Sequence, residues 1–150
     1  MKSFTDLEQS KELAKILPLE SADMYYLIKR SDCRVNWEEA AKDDTNVILF
    51  TKEMMSGTLS DYRLPCWSLA PLIDILPVDW WGYSEHYFLE ISKMGDATKP
   101  NEVRYFSFRK EIDGANYDRI THISHSAENL VDACVNMIIT LHDHKLLSIK

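Results

Sequence analysis

Any reactive centre in this chain would have to draw on five histidines, three cysteines and a surplus of acids. His122 and His125 are three apart, while His142 and His144 flank Asp143. Zinc needs ligands that converge on one point. On a helix, residues two apart point to nearly opposite sides, so His142 and His144 do not share a metal while that end stays wound. His122 and His125 with a distant carboxylate are the pairing that remains, and both read more simply as solvated loop histidines. No metal and no cofactor is expected. Cys33, Cys66 and Cys134 are odd in number, widely spaced and without CxxC, which argues against a disulfide framework and a cysteine-rich zinc site. Cys134 falls in an apolar helical pattern, where a free cysteine behaves as a small hydrophobe. A reducing, cytoplasmic setting is the simplest expectation.

Nucleophilic and acid–base chemistry find little to build on. The chain has no GxSxG elbow and no Gly-rich phosphate loop. Ser124, His125 and Ser126 put hydroxyls beside an imidazole, but Ser126 is expected to serve as a helix cap. The pairs Glu38/Glu39 and Asp43/Asp44 lie in the most polar stretch, with no apolar pocket to raise a carboxyl pKa. The segment `VRYFSFRK` alternates aromatics with Arg104, Arg109 and Lys110, like the stacking strand of an RNA-recognition sheet, yet it lacks that motif's glycine. Hairpin and core packing is the expected role. The formal net charge of −7 is spread along the chain and repels phosphates, which disfavours nucleic acid as a partner.

The aromatic cluster is the remaining candidate. Trp67, Trp80, Trp81, Tyr83 and Tyr87 surround one short helix. Trp67 precedes the helix cap and packs back on it. Of two neighbours in an extended chain, at most one turns inward, so either Trp80 or Trp81 is left half-exposed. Trp80, Trp81, Tyr83 and Tyr87 therefore form the candidate surface for a protein partner or a second copy, with core packing as the competing role.

These residues are positioned by elements with recognisable signals. Thr5 and Glu8 form a capping box for a helix over 5–17, which Pro18 ends. Strands are expected at 24–29 and 47–54, with a helical turn at 37–42. Ser68 caps a helix with Pro71 in its first turn, an apolar stripe of Leu69, Leu72, Ile73 and Leu76, and a stop at Pro77. `ILP` thus closes both helices and suggests two similar helix-to-strand corners. `HYFLEISKM` and `VRYFSFRK` flank turn residues and form a hairpin; Asp113-Gly114 signals another turn, with a shorter strand over 117–123. The last helix, capped by Ser126 with Glu128 in its first turn, presents Leu130, Val131, Cys134, Val135, Ile138 and Leu141. The expectation is a single α+β domain over 1–150: an antiparallel sheet of about four to five strands, packed on one face by N-terminal, central and C-terminal helices.

The opening `MKSFTDLEQSKELAK` has no apolar h-region and no run of 18 apolar residues occurs, so neither a signal peptide nor a membrane partner is expected. The segments `FTDLEQSKELAKILPLESADMYY`, `LPCWSLAPLIDILP` and `NLVDACVNMIITLH` resemble a group of small uncharacterised proteins from gut-dwelling anaerobic bacteria, their phages and mobile elements. The resemblance implies that origin and carries no activity, cofactor or site residue. The chain reads as a non-enzymatic binding protein of a phage or mobile element that acts through protein contacts. Two alternatives stand beside it: an anti-defence or host-takeover factor that sequesters a nucleotide or a nucleic-acid-binding enzyme, and an enzyme with an unfamiliar site near His122 or His125.

Overall fold

A computed structural model of the chain describes residues 2–28, 47–55, 63–82, 85–93, 100–110 and 117–147. Among these the architecture is α+β, with three helices and two antiparallel sheets. The C-terminal helix α3 (Leu130–Asp143) carries the expected apolar face: Val131, Cys134, Val135, Ile138 and Leu141 are buried, joined by Ala133 and Met137. Its cap differs. Asn129, not Ser126, accepts the Asp132 amide at 2.9 Å. Ser126 instead belongs to strand β7 (Tyr117–Ala127), which runs past Ile123 before the chain breaks into helix. Asparagine caps as well as serine, so the longer strand costs the helix nothing.

Helix α1 (Leu7–Leu13) is shorter than 5–17, and its capping box is displaced by one residue. The Asp6 carboxylate accepts the Gln9 amide at 2.9 Å, and Gln9 Oε1 accepts the Asp6 amide at 3.2 Å. Thr5 is not free to cap because its hydroxyl is buried against Ser10 Oγ (2.8 Å) and accepts the Trp67 amide (3.1 Å). The central helix α2 (Leu69–Ile75) likewise begins at Ser68 without a side-chain cap. The Ser68 hydroxyl donates to Asp23 Oδ2, and its amide to Asp23 Oδ1 at 2.8 Å.

Both proline corners are sealed from the inside. Ser21 Oγ accepts the buried Trp67 indole N–H at 2.9 Å and donates to the Pro18 carbonyl at 2.7 Å. At the second corner the Tyr105 hydroxyl donates to the Pro77 carbonyl at 2.7 Å. The first corner leads through a short 3-10 turn (Leu19–Ser21) to strand β1 (Met24–Ile28); the second leads straight into β4 (Asp79–Trp81).

The strands divide into two sheets where one was expected. β1 is central to the first, between β2 (Val47–Thr51) and β3 (Arg63–Cys66). β2 ends earlier than 47–54, giving way to a 3-10 turn at Lys52–Met55. β3 was not among the expected strands, and Pro65 is tolerated in it because β3 is an edge strand among the described residues. The second sheet is a meander, β4-β5-β6-β7, with β5 (His86–Ser92) and β6 (Asn101–Lys110) paired as the expected hairpin. Helix α2, standing between β3 and β4, carries the chain from one sheet to the other. One buried cluster joins Leu13 of α1, Tyr25 of β1, Leu72 of α2, Val103 and Tyr105 of β6, and the α3 face. Helix α3 covers one face of the second sheet through β6 and β7, while α1 packs against β3 of the first sheet and α2 against α3. Cys33, the helical turn expected at 37–42 and the Asp113-Gly114 turn lie outside the described residues.

Burial pushes the Cys134 thiol up to about 12 and also raises Cys66, so neither ionises near neutrality. In a Cys33→Ser variant at about pH 8, both remaining thiols should resist an aromatic disulfide reagent and react only as denaturant opens the fold. Labelling of the native protein at a rate independent of denaturant would contradict this packing.

Candidate functional site

Among the described residues, serine, histidine and carboxylate meet at a place that was not visible as a motif. β6 and β7 change register between Tyr105, opposite Ile123, and Phe106, opposite Thr121, which leaves His122 as the extra residue of a bulge. Bulges re-aim side chains. Here the imidazole is brought to Ser107, with Nε2 at 2.8 Å from Oγ. Ser107 Oγ lies 2.8 Å from Glu85 Oε2, His122 Nε2 lies 3.3 Å from the same oxygen, and Arg109 donates to Glu85 Oε1 at 3.5 Å. Tyr87 closes the group, its ring edge-on to His122 at 4.7 Å.

Proton counting decides what this cluster does. The ionised carboxylate only accepts, so the single hydroxyl proton of Ser107 goes to Glu85, and Ser107 accepts from His122 Nε2–H. In a catalytic triad the order is reversed: serine donates to histidine, and the acid holds the other ring nitrogen. Ser107 is also fully buried, so its oxygen has no open approach for a substrate. The cluster is a satisfied polar network that ties the β4–β5 turn, closed by Gly82 N–H to the Glu85 carbonyl at 2.9 Å, to β6 and β7.

His125 does not join it. Its Nε2 pairs with Thr140 Oγ1 of α3 at 2.8 Å, and burial holds its pKa below the ordinary 6.5. Among the described residues, no three His, Cys, Asp or Glu side chains converge in a way that would hold a metal ion. A recess of about 500 Å³ opens between the Leu19–Ser21 turn and the end of β2, where Lys52 Nζ donates to the Glu20 carbonyl at 3.0 Å and Asp23 holds Ser68.

The outer face of the second sheet is different. Register places Trp81, His86, Phe88, Phe106 and Phe108 on it as a chain of touching rings. Trp81 stacks on His86 (4.2 Å, 8° between planes), His86 meets Phe88 at 4.3 Å, and Phe88, Phe106 and Phe108 lie within 5.9 Å of one another. His86 Nε2 is 2.6 Å from Asp79 Oδ2. The Arg119 guanidinium sits 3.7 Å over the Phe106 ring and pairs with Glu90, whose other oxygen accepts from Arg104 at 2.6 Å. Trp81 is 77 % exposed, Tyr117 63 % and Phe108 52 %.

The four residues of the expected partner surface separate. Trp80 turns inward, stacked on Tyr87 at 5.0 Å and against Tyr105 at 4.2 Å. Tyr87 shares that inner side. Trp81 faces out, and Tyr83 lies outside the described residues. Phe88, Phe106 and Phe108 were missing from that surface. Their signal was available, since alternation in `HYFLE` and `RYFSF` puts every second ring on one side once the hairpin register is set. Compared with known proteins, the chain matches no family model, no curated protein and no solved structure.

Acid should destabilise the fold in two windows, one set by His125 and one by the Glu85 network. Burial holds the His125 pKa below 6.5, so the unfolded chain takes up that proton first. The associated stability is complete above about pH 6.5 and drains as pH falls through the folded value. Glu85 is held below 4.5, chiefly by the Ser107 hydroxyl, so its contribution is complete above that value and is lost below it. Thermal melting between about pH 7 and 3 should show His125→Gln flattening the upper window and Glu85→Gln the lower. A profile parallel to wild type would remove that residue from the account.

Proposed function

We propose that this protein is a non-enzymatic binding module that acts through protein contacts on the outer face of its four-stranded sheet. The observation that carries the reading is Trp81. It is 77 % exposed yet held in place by stacking on His86, which Asp79 pins in turn. A large aromatic that is both open and ordered loses little freedom on docking, which is the character of an interface hot spot. Phe108 on β6 and Tyr117 on β7, opposite Lys110, are further exposed aromatics on the same face, two and three strands from Trp81.

Charge favours protein over nucleic acid. Stacked rings on a sheet would suit unpaired bases, but Arg104 and Arg119 are already engaged by Glu90, and the chain as a whole carries −7. An enzymatic reading near His122 finds no support in a buried serine whose proton points to the carboxylate. The setting in a phage or mobile element of a gut anaerobe rests on the sequence resemblance alone. The apolar strip by itself does not separate a foreign partner from a second copy, and the test below does.

A photoreactive phenylalanine analogue in place of Trp81 should give a discrete cross-linked species in the native host, with a control at exposed Val78 giving none. The mass of that species identifies a partner or a second copy. Trp81→Ala should leave the melting temperature within a few degrees while weakening the complex by roughly tenfold or more. Equal cross-linking from both positions, or unchanged affinity in Trp81→Ala, would remove the outer face as the contact surface.

A further inference from the structure

We infer that the open face of Trp81, together with the Asp79 carboxylate, receives an arginine side chain from a basic partner. The inference rests on the binding role proposed above and gives that role a chemistry. The molecule contains a filled version of the same arrangement on the same face. At Phe106 an aromatic ring is covered by the Arg119 guanidinium at 3.7 Å, and the guanidinium is held by the Glu90 carboxylate. At Trp81 the ring and the carboxylate are bridged by the His86 imidazole in place of a guanidinium, and among the described residues no Arg or Lys lies over the ring. Asp79 and Trp81 are two apart on β4 and so share a side of the strand. His86 fills one face of the indole and binds Asp79 Oδ2, which leaves the other indole face open.

Guanidinium suits this site better than ammonium. It is planar, weakly hydrated and able to stack on an indole while donating to a carboxylate at its edge. Tryptophan is the strongest of the ring acceptors for a cation, and the chain as a whole carries −7, which draws a basic partner and repels an acidic one. Charge complementarity therefore selects the occupant. A second copy of this chain, equally acidic, is the less favoured one.

The test uses three blocked pentapeptides, Gly-Arg-Gly-Arg-Gly and its lysine and citrulline counterparts, added to the full chain labelled with ¹⁵N. The indole N–H signal of Trp81, assigned by its loss in Trp81→Phe, should shift saturably with the arginine peptide. Lysine should bind roughly three- to fivefold more weakly, and citrulline, planar but uncharged, should not bind. Asp79→Asn, which keeps a hydrogen bond for His86 while removing the charge, should weaken the arginine peptide by a similar factor, and the buried Trp67 signal should not move. Equal shifts from the citrulline or lysine peptide, or no effect of Asp79→Asn, would overturn the inference. If cross-linking through position 81 succeeds while the arginine peptide leaves Trp81 unmoved, the binding role stands and the arginine assignment falls.

Discussion

A sheet covered by helices on one face has to protect its other face with its own side chains, and this constraint organises the second sheet. On the inner side α3 does the work, burying Val103 and Tyr105 beneath its apolar face. On the outer side no helix is needed to cover Phe106, because the Arg119 guanidinium lies over its ring and is held there by Glu90. Each ring pair along Trp81, His86, Phe88, Phe106 and Phe108 contributes on the order of 1 kcal/mol beyond area burial, and the cation over Phe106 contributes a similar amount. Together these contacts make the face a rigid surface whose two ends remain open.

The orientation of that surface depends on the second proline corner. Tyr105, rooted in the core, donates to the Pro77 carbonyl and fixes where β4 begins. Trp80 then stacks between Tyr87 and Tyr105, and strand alternation sends Trp81 to the other side. Further back, the buried Trp67 links Ser21 at the first corner to Thr5, whose hydroxyl accepts the Trp67 amide and whose carbonyl accepts the Tyr26 hydroxyl at 2.7 Å. Lys2 reaches Asp6, Gln9 and Asp132 and so joins the start of α1 to the start of α3. Buried polar groups of this kind are costly when unpaired, and here they are paired across elements distant in sequence.

The parts of the fold that sequence made legible were those specified locally. Periodicity over α3 and alternation in the β5–β6 hairpin were sufficient, as was the proline stop of α2 at Pro77, whereas α1 ends at Leu13, before Pro18. Caps failed where tertiary partners claimed the hydroxyl: Thr5 went to Trp67 and Ser10, Ser68 to Asp23. β3 and β4 are four and three residues long, too short to establish a period, and the proline in β3 pointed away from strand. Glu85, Ser107 and His122 are separated by 22 and 15 residues and meet only because of a bulge, so no spacing rule leads to them. The choice between Trp80 and Trp81 was limited to one of the two by backbone geometry. Which one turned inward was decided by packing against Tyr87 and Tyr105, which sequence does not display.

Open aromatic strips and open sheet edges both invite indiscriminate association, and this molecule treats them differently. The β7 edge is blunted: a bulge at His122 breaks its regular pairing, and Asp118 and Arg119 place charge along it. At the opposite edge, β4 offers only three residues. The aromatic strip has no comparable guard of its own, but every copy carries −7, and like charge opposes the approach of one strip to another. An acidic surface that keeps copies apart also accelerates encounter with a basic partner. Under the binding role proposed above, guarded edges, mutual repulsion and an ordered, exposed indole direct docking to the face of this sheet rather than to its edge.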